Sequence, residues 1–128
     1  MSKHADTIIA VTTGKQDRGT RATLAFAWGC AALAMGQSVT IFLTMEGTIW
    51  SAIGAGKDVS VAGFESLEAY MEQFTSLGGE LLVCGPCTEY YCSLDRDRIQ
   101  DALVADAQLS GLATIVARTG RHTNVITF

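Results

Sequence analysis

The residues with the clearest chemical potential are two cysteines, Cys84 and Cys87, with two residues between them. They follow the apolar run 81–83, which is typical of a strand buried on both faces of a parallel sheet. Gly85 permits a sharp turn, and Pro86 favours the first position of a helix. The pattern predicts Cys84 at the carboxyl end of a strand, beside a helix N-terminus that would lower its pKa. The alternative is that Cys84 is only a small buried hydrophobic residue.

The sequence Cys-Gly-Pro-Cys is the redox motif of thioredoxin-like proteins. In that family the motif lies early in the chain, opens a long helix and faces a cis-proline. Here it lies two-thirds of the way along, and Pro86 is the only proline, so the facing proline is missing. Homology to thioredoxin therefore fails. A thiol–disulfide redox protein that uses Cys84 and Cys87 stays open as an alternative.

Metal binding and hydrolysis are weaker interpretations of the same cysteines. A structural zinc site needs four Cys or His ligands, and the candidates that could be counted are Cys84, Cys87, Cys92 and His122. No second Cys-x-x-Cys motif accompanies them, so we expect neither a bound metal nor a cofactor. A cysteine hydrolase would need a histidine base. His122 is the realistic one, since His4 lies in the N-terminal tail.

A thiol at a strand end can also carry sulfur. The thiolate of Cys84 would attack the outer sulfur of a donor persulfide and hold that sulfur as a cysteine persulfide. Cys87, three residues further on, would then be within reach of the inner sulfur, and its attack would release sulfide and leave a disulfide. The alternative is that Cys87 is turned into the core and inert. Cys30 is interpreted as a core residue, because it lies on an apolar helix.

Length and composition narrow the class of protein. The 128 residues suit a single domain over residues 1–128, with 48% hydrophobic residues, 17% charged residues and a net charge of −4. Because no basic run occurs, nucleic acid is not expected as a partner. The longest apolar stretch, residues 22–36, is too short to cross a bilayer as a helix, and the N-terminal residues lack the features of a signal peptide. We therefore expect a cytoplasmic protein without membrane contact, whose four cysteines do not form disulfide staples.

The remaining elements predict an α/β fold. Residues 7–13 and 38–44 are rich in β-branched residues and are predicted as buried strands. The helix between them spans residues 21–35 and is capped by Thr20. Strand, helix and strand form a βαβ unit, so a mostly parallel sheet is expected. The helix is apolar nearly all round, which indicates burial against another subunit as well as against the sheet.

A glycine-rich segment, residues 45–63, leaves the second predicted strand at the edge where Cys84 is expected. Segments of this length are usually functional or mobile, and we interpret this one as a candidate lid. Trp50 within it is either an anchor of that lid or a core aromatic residue. An amphipathic helix is predicted over residues 67–77.

The last third of the chain is less regular. Residues 88–98 are predicted to be irregular, and residues 99–105 to be either a fourth strand or the start of a helix. Asp106 is predicted to cap a helix that runs to about residue 119, and residues 125–128 are predicted to close the chain as a last strand. The side chains predicted to face inward from the Asp106 helix are Leu109, Leu112, Ala113 and Val116.

In the order of these elements the chain resembles the DsrE/DsrF family, which includes the DsrEFH and TusBCD sulfur relay proteins. The resemblance spans nearly the whole chain. The features that carry it are the strands 7–13 and 38–44, the small-residue helix that ends at Gly36, the pair Gly78-Gly79 followed by the strand 80–84, and the closing strand 125–128.

The resemblance implies a single-domain, flavodoxin-like layered fold with a mostly parallel sheet of about five strands. It implies that Cys84 accepts and donates persulfide sulfur, as a sulfurtransferase-type carrier. Because the family also contains members without carrier activity, a non-catalytic subunit that only binds a partner stays open as an alternative. Many members have one cysteine in this turn, so Cys87 and Cys92 are additions. The resemblance also implies assembly as a trimer or hexamer, with rhodanese-like proteins and TusA-like carriers as partners.

Overall fold

The structure, a computed structural model, describes residues 4–91 and 99–128. The strands are β1 (Thr7–Val11), β2 (Val39–Leu43), β3 (Glu80–Cys84), β4 (Ala107–Ser110) and β5 (Asn124–Thr127). The α-helices are α1 (Thr20–Ala34), α2 (Leu67–Ser76), α3 (Gly85–Tyr91), α4 (Ile99–Ala102) and α5 (Leu112–Arg118). Short 3-10 helices cover Lys15–Asp17 and Met45–Ser51. In this described part of the chain, no helix combines the length and the apolar character needed to cross a membrane.

The strands form one sheet in the order β4-β3-β2-β1-β5, and every neighbouring pair is parallel. This confirms the predicted α/β fold with a parallel sheet of five strands. The three central strands are apolar along most of their length and are largely buried. A parallel sheet has this character because helices cover both of its faces.

One face of the sheet is covered by α1 and α2. The chain steps from β1 to β2 to β3 to β4 in one direction across the sheet, so right-handed crossovers place their connecting helices on the same face. The rings of Phe26 in α1 and Phe74 in α2 meet there nearly at right angles, with centroids 5.8 Å apart. A side chain at Gly29 would lie 2.9 Å from the Phe74 ring, so a glycine is needed where the two helices approach.

The step from β4 back to β5 reverses the direction across the sheet, and the same handedness rule puts α5 on the opposite face. An ion pair ties α5 to that face: Arg118 Nε and Nη2 donate to the two carboxylate oxygens of Glu80 at 2.9 and 2.8 Å. Thr40 Oγ1, on the neighbouring strand, donates to the same carboxylate at 2.8 Å.

The predicted helix after Asp106 is wrong in its first half, whereas its second half contains the helix α5. Asp106 lies in a turn with φ of 70°, and the chain forms the strand β4 before it forms the shorter helix α5. A four-residue strand and a seven-residue helix separated by one glycine do not produce a distinct period in the sequence. The ambiguous segment 99–105 contains the short helix α4. The four side chains predicted to face inward are all exposed: Leu109, Leu112, Ala113 and Val116.

The start of α1 also differs from the prediction. Gly19 is the N-cap residue, and the carboxylate of Asp17, not Thr20, accepts hydrogen bonds from the amides of Gly19 and Arg21 at 3.1 and 2.9 Å. One side of the apolar helix α1 packs on the sheet and on α2, and the other side leaves hydrophobic side chains exposed, so its burial against another subunit stays a prediction. These side chains are Leu24, Trp28 and Met35, exposed by 38%, 48% and 82%.

Candidate functional site

Polar side chains and thiols gather at the carboxyl edge of the sheet. Cys84 is the last residue of β3, Thr44 directly follows β2, and Ser110 ends β4 in register with Cys84. Open α/β sheets bind ligands at this edge, because the loops that leave the strands surround it. The sequence placed Cys84 here, and the structure agrees.

The junction between β3 and α3 has no intervening loop. Gly85 is the first residue of α3, and Cys87 lies in the first turn of that helix. The hydroxyl of Thr88, which is fully buried, donates to the carbonyl of Cys84 at 2.7 Å and ties the helix to the end of the strand. Cys84 and Cys87 are both half-buried and both free thiols. The junction therefore holds two reactive groups side by side and partly open to solvent.

The two thiols affect each other's ionisation. Besides burial, hydrogen bonding between the two side chains raises the pKa of Cys84 and lowers the pKa of Cys87, while the Cys87 backbone acts to lower the pKa of Cys84. Cys87 is half-buried at the edge of the sheet, and its sulfur lies 3.7 Å from the Thr44 hydroxyl, so it is not a core residue. Its reactivity stays a prediction.

Residues beyond β2 complete the surroundings of Cys87. The hydroxyl of Thr44 lies 3.7 Å from the Cys87 sulfur and also interacts with Cys84, while the amide of Met45 donates to the Cys87 sulfur. Met45 has φ of 50°, in the left-handed region that side chains other than glycine rarely adopt. Strained backbone of this kind is concentrated at functional sites. Here it directly follows Thr44, whose hydroxyl lies 3.7 Å from the Cys87 sulfur.

The 3-10 helix Met45–Ser51 supports this arrangement. Thr48 Oγ1 donates to the Met45 carbonyl at 2.9 Å and contacts the Cys87 carbonyl at 3.5 Å. Gly47 packs so closely on the end of β1 that a side chain would overlap the Val11 carbonyl. Trp50 is 1% exposed and donates its indole proton to the Thr13 carbonyl at 2.9 Å.

The prediction of a lid over residues 45–63 is therefore wrong for its first half, since residues 45–51 form a helix that packs against the core beside Cys87. Trp50 is a core aromatic residue and no lid anchor.

The surroundings of the two thiols shift their pKa values in opposite directions. Burial raises the pKa of the Cys84 thiol, and donating a hydrogen bond to Cys87 raises it further. Burial also acts to raise the pKa of Cys87, but the hydrogen bonds from Cys84, Thr44 and the Met45 amide outweigh it and lower the pKa. The expectation of a low-pKa Cys84 is thus wrong. Within the pair, Cys87 is the thiol that ionises first.

Cys30 has none of these features. It is 8% exposed, its thiol donates to the Tyr70 carbonyl at 3.4 Å, and burial together with the nearby Glu65 raises its pKa. The interpretation of Cys30 as a core residue is confirmed.

The histidines lie far from the thiols. His4 precedes β1 and His122 precedes β5, so both lie at the amino edge of the sheet, opposite Cys84. A strand of five residues is about 13 Å long, so the length of the strands separates both histidines from the Cys84 thiol. A hydrolase pairing of Cys84 with His122 is therefore excluded.

The described part of the chain contains no group of side chains suited to a metal ion. Across residues 4–91 and 99–128, no three His, Cys, Asp or Glu side chains lie close enough together to hold a metal ion. Cys92, the remaining candidate ligand, lies outside the described residues.

Sequence reasoning missed Thr44 and Met45. Their signal was their position, because both follow a predicted strand that neighbours the cysteine strand in a parallel sheet.

Comparisons with known proteins agree with this architecture. The crystal structure of the ychN protein from E. coli superimposes with a TM-score of 0.71 at 13% sequence identity, covering 97% of this chain and 99% of that one. At this identity the likeness shows the fold alone. No curated protein matched the sequence significantly. A sequence model of the DsrE/DsrF-like family matches residues 6–128, nearly the whole chain. The chain therefore belongs to the DsrE/DsrF-like family.

Proposed function

We propose that the protein is a sulfur carrier that accepts sulfur as a persulfide on Cys84 and passes it to a partner protein. Membership in the DsrE/DsrF-like family implies a role related to sulfur relay. The observation that carries the finer proposal is the position of Cys84. It is a half-buried, free thiol at the carboxyl edge of the sheet, with its proton donated to the sulfur of Cys87.

The hydrogen bond between the thiols gives a route for loading. Cys84 attacks the outer sulfur of a donor persulfide, R–S–SH, while its proton passes to the thiolate of Cys87. The new S–S bond forms on Cys84, the old one breaks, and the donor leaves as the thiolate R–S⁻. The products are the Cys84 persulfide, the Cys87 thiol and R–S⁻, so charge and protons balance and no net oxidation occurs.

Unloading is the same exchange in reverse. An acceptor thiolate attacks the outer sulfur of the Cys84 persulfide and takes it, and Cys84 leaves as a thiolate. Cys87 returns the proton to Cys84, which restores the starting pair. The half-buried position of Cys84 suits this role, because a carried sulfur is partly shielded from water yet open to a partner's thiol.

We further propose that the protein works as a homo-oligomer, a trimer or hexamer, and exchanges sulfur with rhodanese-like and TusA-like proteins. The uncovered hydrophobic side chains of α1, above all Trp28 and Met35, support self-association. We also propose a cytoplasmic location, because a relay of free thiols needs a reducing compartment.

Replacing Trp28 by aspartate tests the assembly. A charge at this half-exposed position disfavours burial against another subunit, so light scattering of Trp28→Asp is expected to show a smaller species than the wild type. An unchanged oligomer would remove α1 from the interface, and a wild type that is monomeric at micromolar concentration would contradict the assembly itself.

Intact-protein mass spectrometry tests the carrier. After incubation with polysulfide and desalting, Cys30→Ser is expected to behave as the wild type, whereas Cys84→Ser is expected to lose all sulfur uptake. Cys30 is the matched control, since it is a free but buried thiol elsewhere in the chain. Equal sulfur uptake by Cys84→Ser and the wild type would contradict the assignment of Cys84.

The second candidate is a thiol–disulfide redox protein. It is favoured by the direct hydrogen bond between Cys84 and Cys87, which keeps the two sulfurs within reach of a disulfide. Intact-mass measurement of Cys87→Ser separates the two functions, because this variant cannot form the Cys84–Cys87 disulfide: a carrier still gains the mass of sulfur on Cys84, whereas a redox protein gains none. Oxidation without sulfur uptake by any cysteine variant would favour the second candidate.

A further inference from the structure

Three groups that can donate a hydrogen bond lie around the sulfur of Cys87: the Cys84 thiol three residues earlier, the Thr44 hydroxyl at 3.7 Å and the Met45 amide. Two of them come from the segment after β2, which the core holds in place through Gly47 and Trp50. A passive neighbour of the carrier thiol would not need a fixed set of donors on its own sulfur.

Donors of this kind favour the ionised form of a thiol. They outweigh the burial of Cys87 and lower its pKa, whereas the pKa of Cys84 is raised. A thiolate, and not a thiol, is the attacking species in exchange at sulfur. Cys87 is therefore equipped as a nucleophile, and the atom it contacts directly is the sulfur of Cys84.

We propose that the site also has a persulfide-reducing activity, in which Cys87 attacks the Cys84 persulfide and releases hydrosulfide. This inference rests on the proposed carrier function, because it needs a loaded Cys84. The inner sulfur of that persulfide is the Cys84 sulfur itself, and Cys87 follows it three residues later in the first turn of α3. The carrier then has two outlets: transfer of the sulfur to an acceptor thiol, or its release as hydrosulfide when no acceptor is bound.

Loading leaves Cys87 as a thiol, so Cys87 first gives up that proton to solvent. Its thiolate then bonds to the inner sulfur, the bond between inner and outer sulfur breaks, and the outer sulfur leaves as HS⁻ with its own proton. The outer sulfur is reduced by two electrons, and the two cysteines are oxidised to a Cys84–Cys87 disulfide. A dithiol reductant, or two monothiols, then restores both thiols by ordinary exchange.

The spacing of the two cysteines suits the disulfide. They lie at positions i and i+3 across the junction of β3 and α3, which the hydrogen bond from Thr88 to the Cys84 carbonyl holds together. Side chains three residues apart on a helical turn are neighbours. Cys30 cannot substitute for Cys87, because its thiol is buried and bonded to the Tyr70 carbonyl.

The test is a single turnover with sodium polysulfide in the absence of reductant, followed by intact-mass measurement and trapping of released sulfide with a bimane reagent. The wild type and Cys30→Ser are expected to release one sulfide per disulfide formed, and to lose about two hydrogen masses. Cys87→Ser lacks the proton acceptor for loading and is expected to load more slowly, but to keep the added sulfur mass once loaded and to lose the sulfide release above the protein-free blank. Far-ultraviolet circular dichroism of each variant verifies that it is folded.

The outcomes separate the two proposals. A wild type that holds its added sulfur as long as Cys87→Ser does, and releases no more sulfide, would overturn the persulfide-reducing activity and leave the carrier intact. A Cys87→Ser chain that takes up no sulfur at all would contradict the carrier on Cys84 and the reduction with it. A Cys84→Ser chain that loads as well as Cys87→Ser would place the sulfur on Cys87 and contradict both.

Replacing Thr44 by valine tests the role of the donors. Valine keeps the shape but removes the hydroxyl, so the pKa of Cys87 rises and the pH at which sulfide release accelerates moves upward. Besides Cys84, the titratable side chains described on the elements around Cys87 are Glu46, Glu89 and Tyr90, and none of them is among the causes of its pKa shift. A slower rate with an unshifted pH profile would show that Thr44 acts on packing alone and would overturn its part in the proposal.

Discussion

The amino edge and the carboxyl edge of the sheet carry similar polar residues, but these residues have different roles. At the amino edge they pair with one another: the Asp6 amide donates to the Ser38 hydroxyl at 2.9 Å, and the Ser38 amide donates to the Asp6 carboxylate at 2.8 Å. The ion pair of Glu80 with Arg118 closes the same edge. At the carboxyl edge, the hydroxyl of Thr44 is directed instead at two free thiols.

The difference shows how a single strand, β3, can stabilise the fold at its first residue and present a reactive group at its last. β3 begins at Glu80, whose carboxylate is satisfied by Arg118 and Thr40, and ends at Cys84, whose sulfur stays half-buried and free. The amino edge is thus made of strong, closed pairs that hold the strands in register. The carboxyl edge is made of weaker contacts to sulfur, which tune the reactivity of the thiols and can be exchanged during reaction.

The largest expected effect on this comparison comes from Gly47→Ala. The added methyl group would overlap the Val11 carbonyl, so the support under Met45 must shift or the end of β1 must give way. We expect the free energy of unfolding to fall by about 2–3 kcal/mol in urea titrations. Sulfide release should slow as well, because the Met45 amide would no longer be aimed at Cys87. Wild-type stability and wild-type kinetics together would show that this segment does not position the thiols.

Glu80→Gln sharpens the comparison from the other edge. The variant keeps the shape of the side chain but removes its charge, and we expect a loss of about 1 kcal/mol of stability at neutral pH, since the pair is partly exposed. Sulfur loading on Cys84 should be unchanged. Impaired loading at full stability would show that the amino edge reaches the reactive thiols, which would break the distinction between the edges.

The same variant predicts a pH dependence. The hydrogen bonds from Arg118 hold the pKa of Glu80 below its usual range, against the opposing effect of burial. A carboxyl group with a depressed folded-state pKa contributes stability above the ordinary glutamate pKa of about 4.3, and loses it as the pH falls through the depressed value. The stability difference between wild type and Glu80→Gln should therefore shrink below this pH. A constant difference down to complete acid unfolding would argue against the ion pair.

The smallest effect is expected for Cys30→Ser, which lies in neither edge. Its hydroxyl can replace the thiol as donor to the Tyr70 carbonyl, at the cost of burying a more polar atom. We expect a loss of about 1 kcal/mol or less in urea titrations and unchanged sulfur loading and release. A change in sulfide release would indicate that a third thiol takes part in the chemistry.

Much of the fold could be predicted because its signals are local. The apolar, β-branched runs before and after α1 predict two strands, and their order with the intervening helix predicts parallel pairing. The turn residues Gly85 and Pro86 then place Cys84 at the carboxyl edge, where the structure has it. The failure at β4 and α5 has a physical reason. Both elements are short, and their hydrophobic side chains, Leu109 and Leu112 among them, face outward, so no buried face imposes a period.

The sequence by itself determined that two thiols stand three residues apart at the end of a buried strand, because that statement depends only on neighbours along the chain. Which thiol ionises was decided by the tertiary structure. The hydroxyl of Thr44 and the amide of Met45 reach Cys87 only because β2 lies next to β3 in the sheet, and because Gly47 and Trp50 hold the intervening turn against the core. Helix position alone favours the strand-end cysteine. Burial and hydrogen bonds from residues distant in sequence reverse that preference, since they act through space and leave no local pattern.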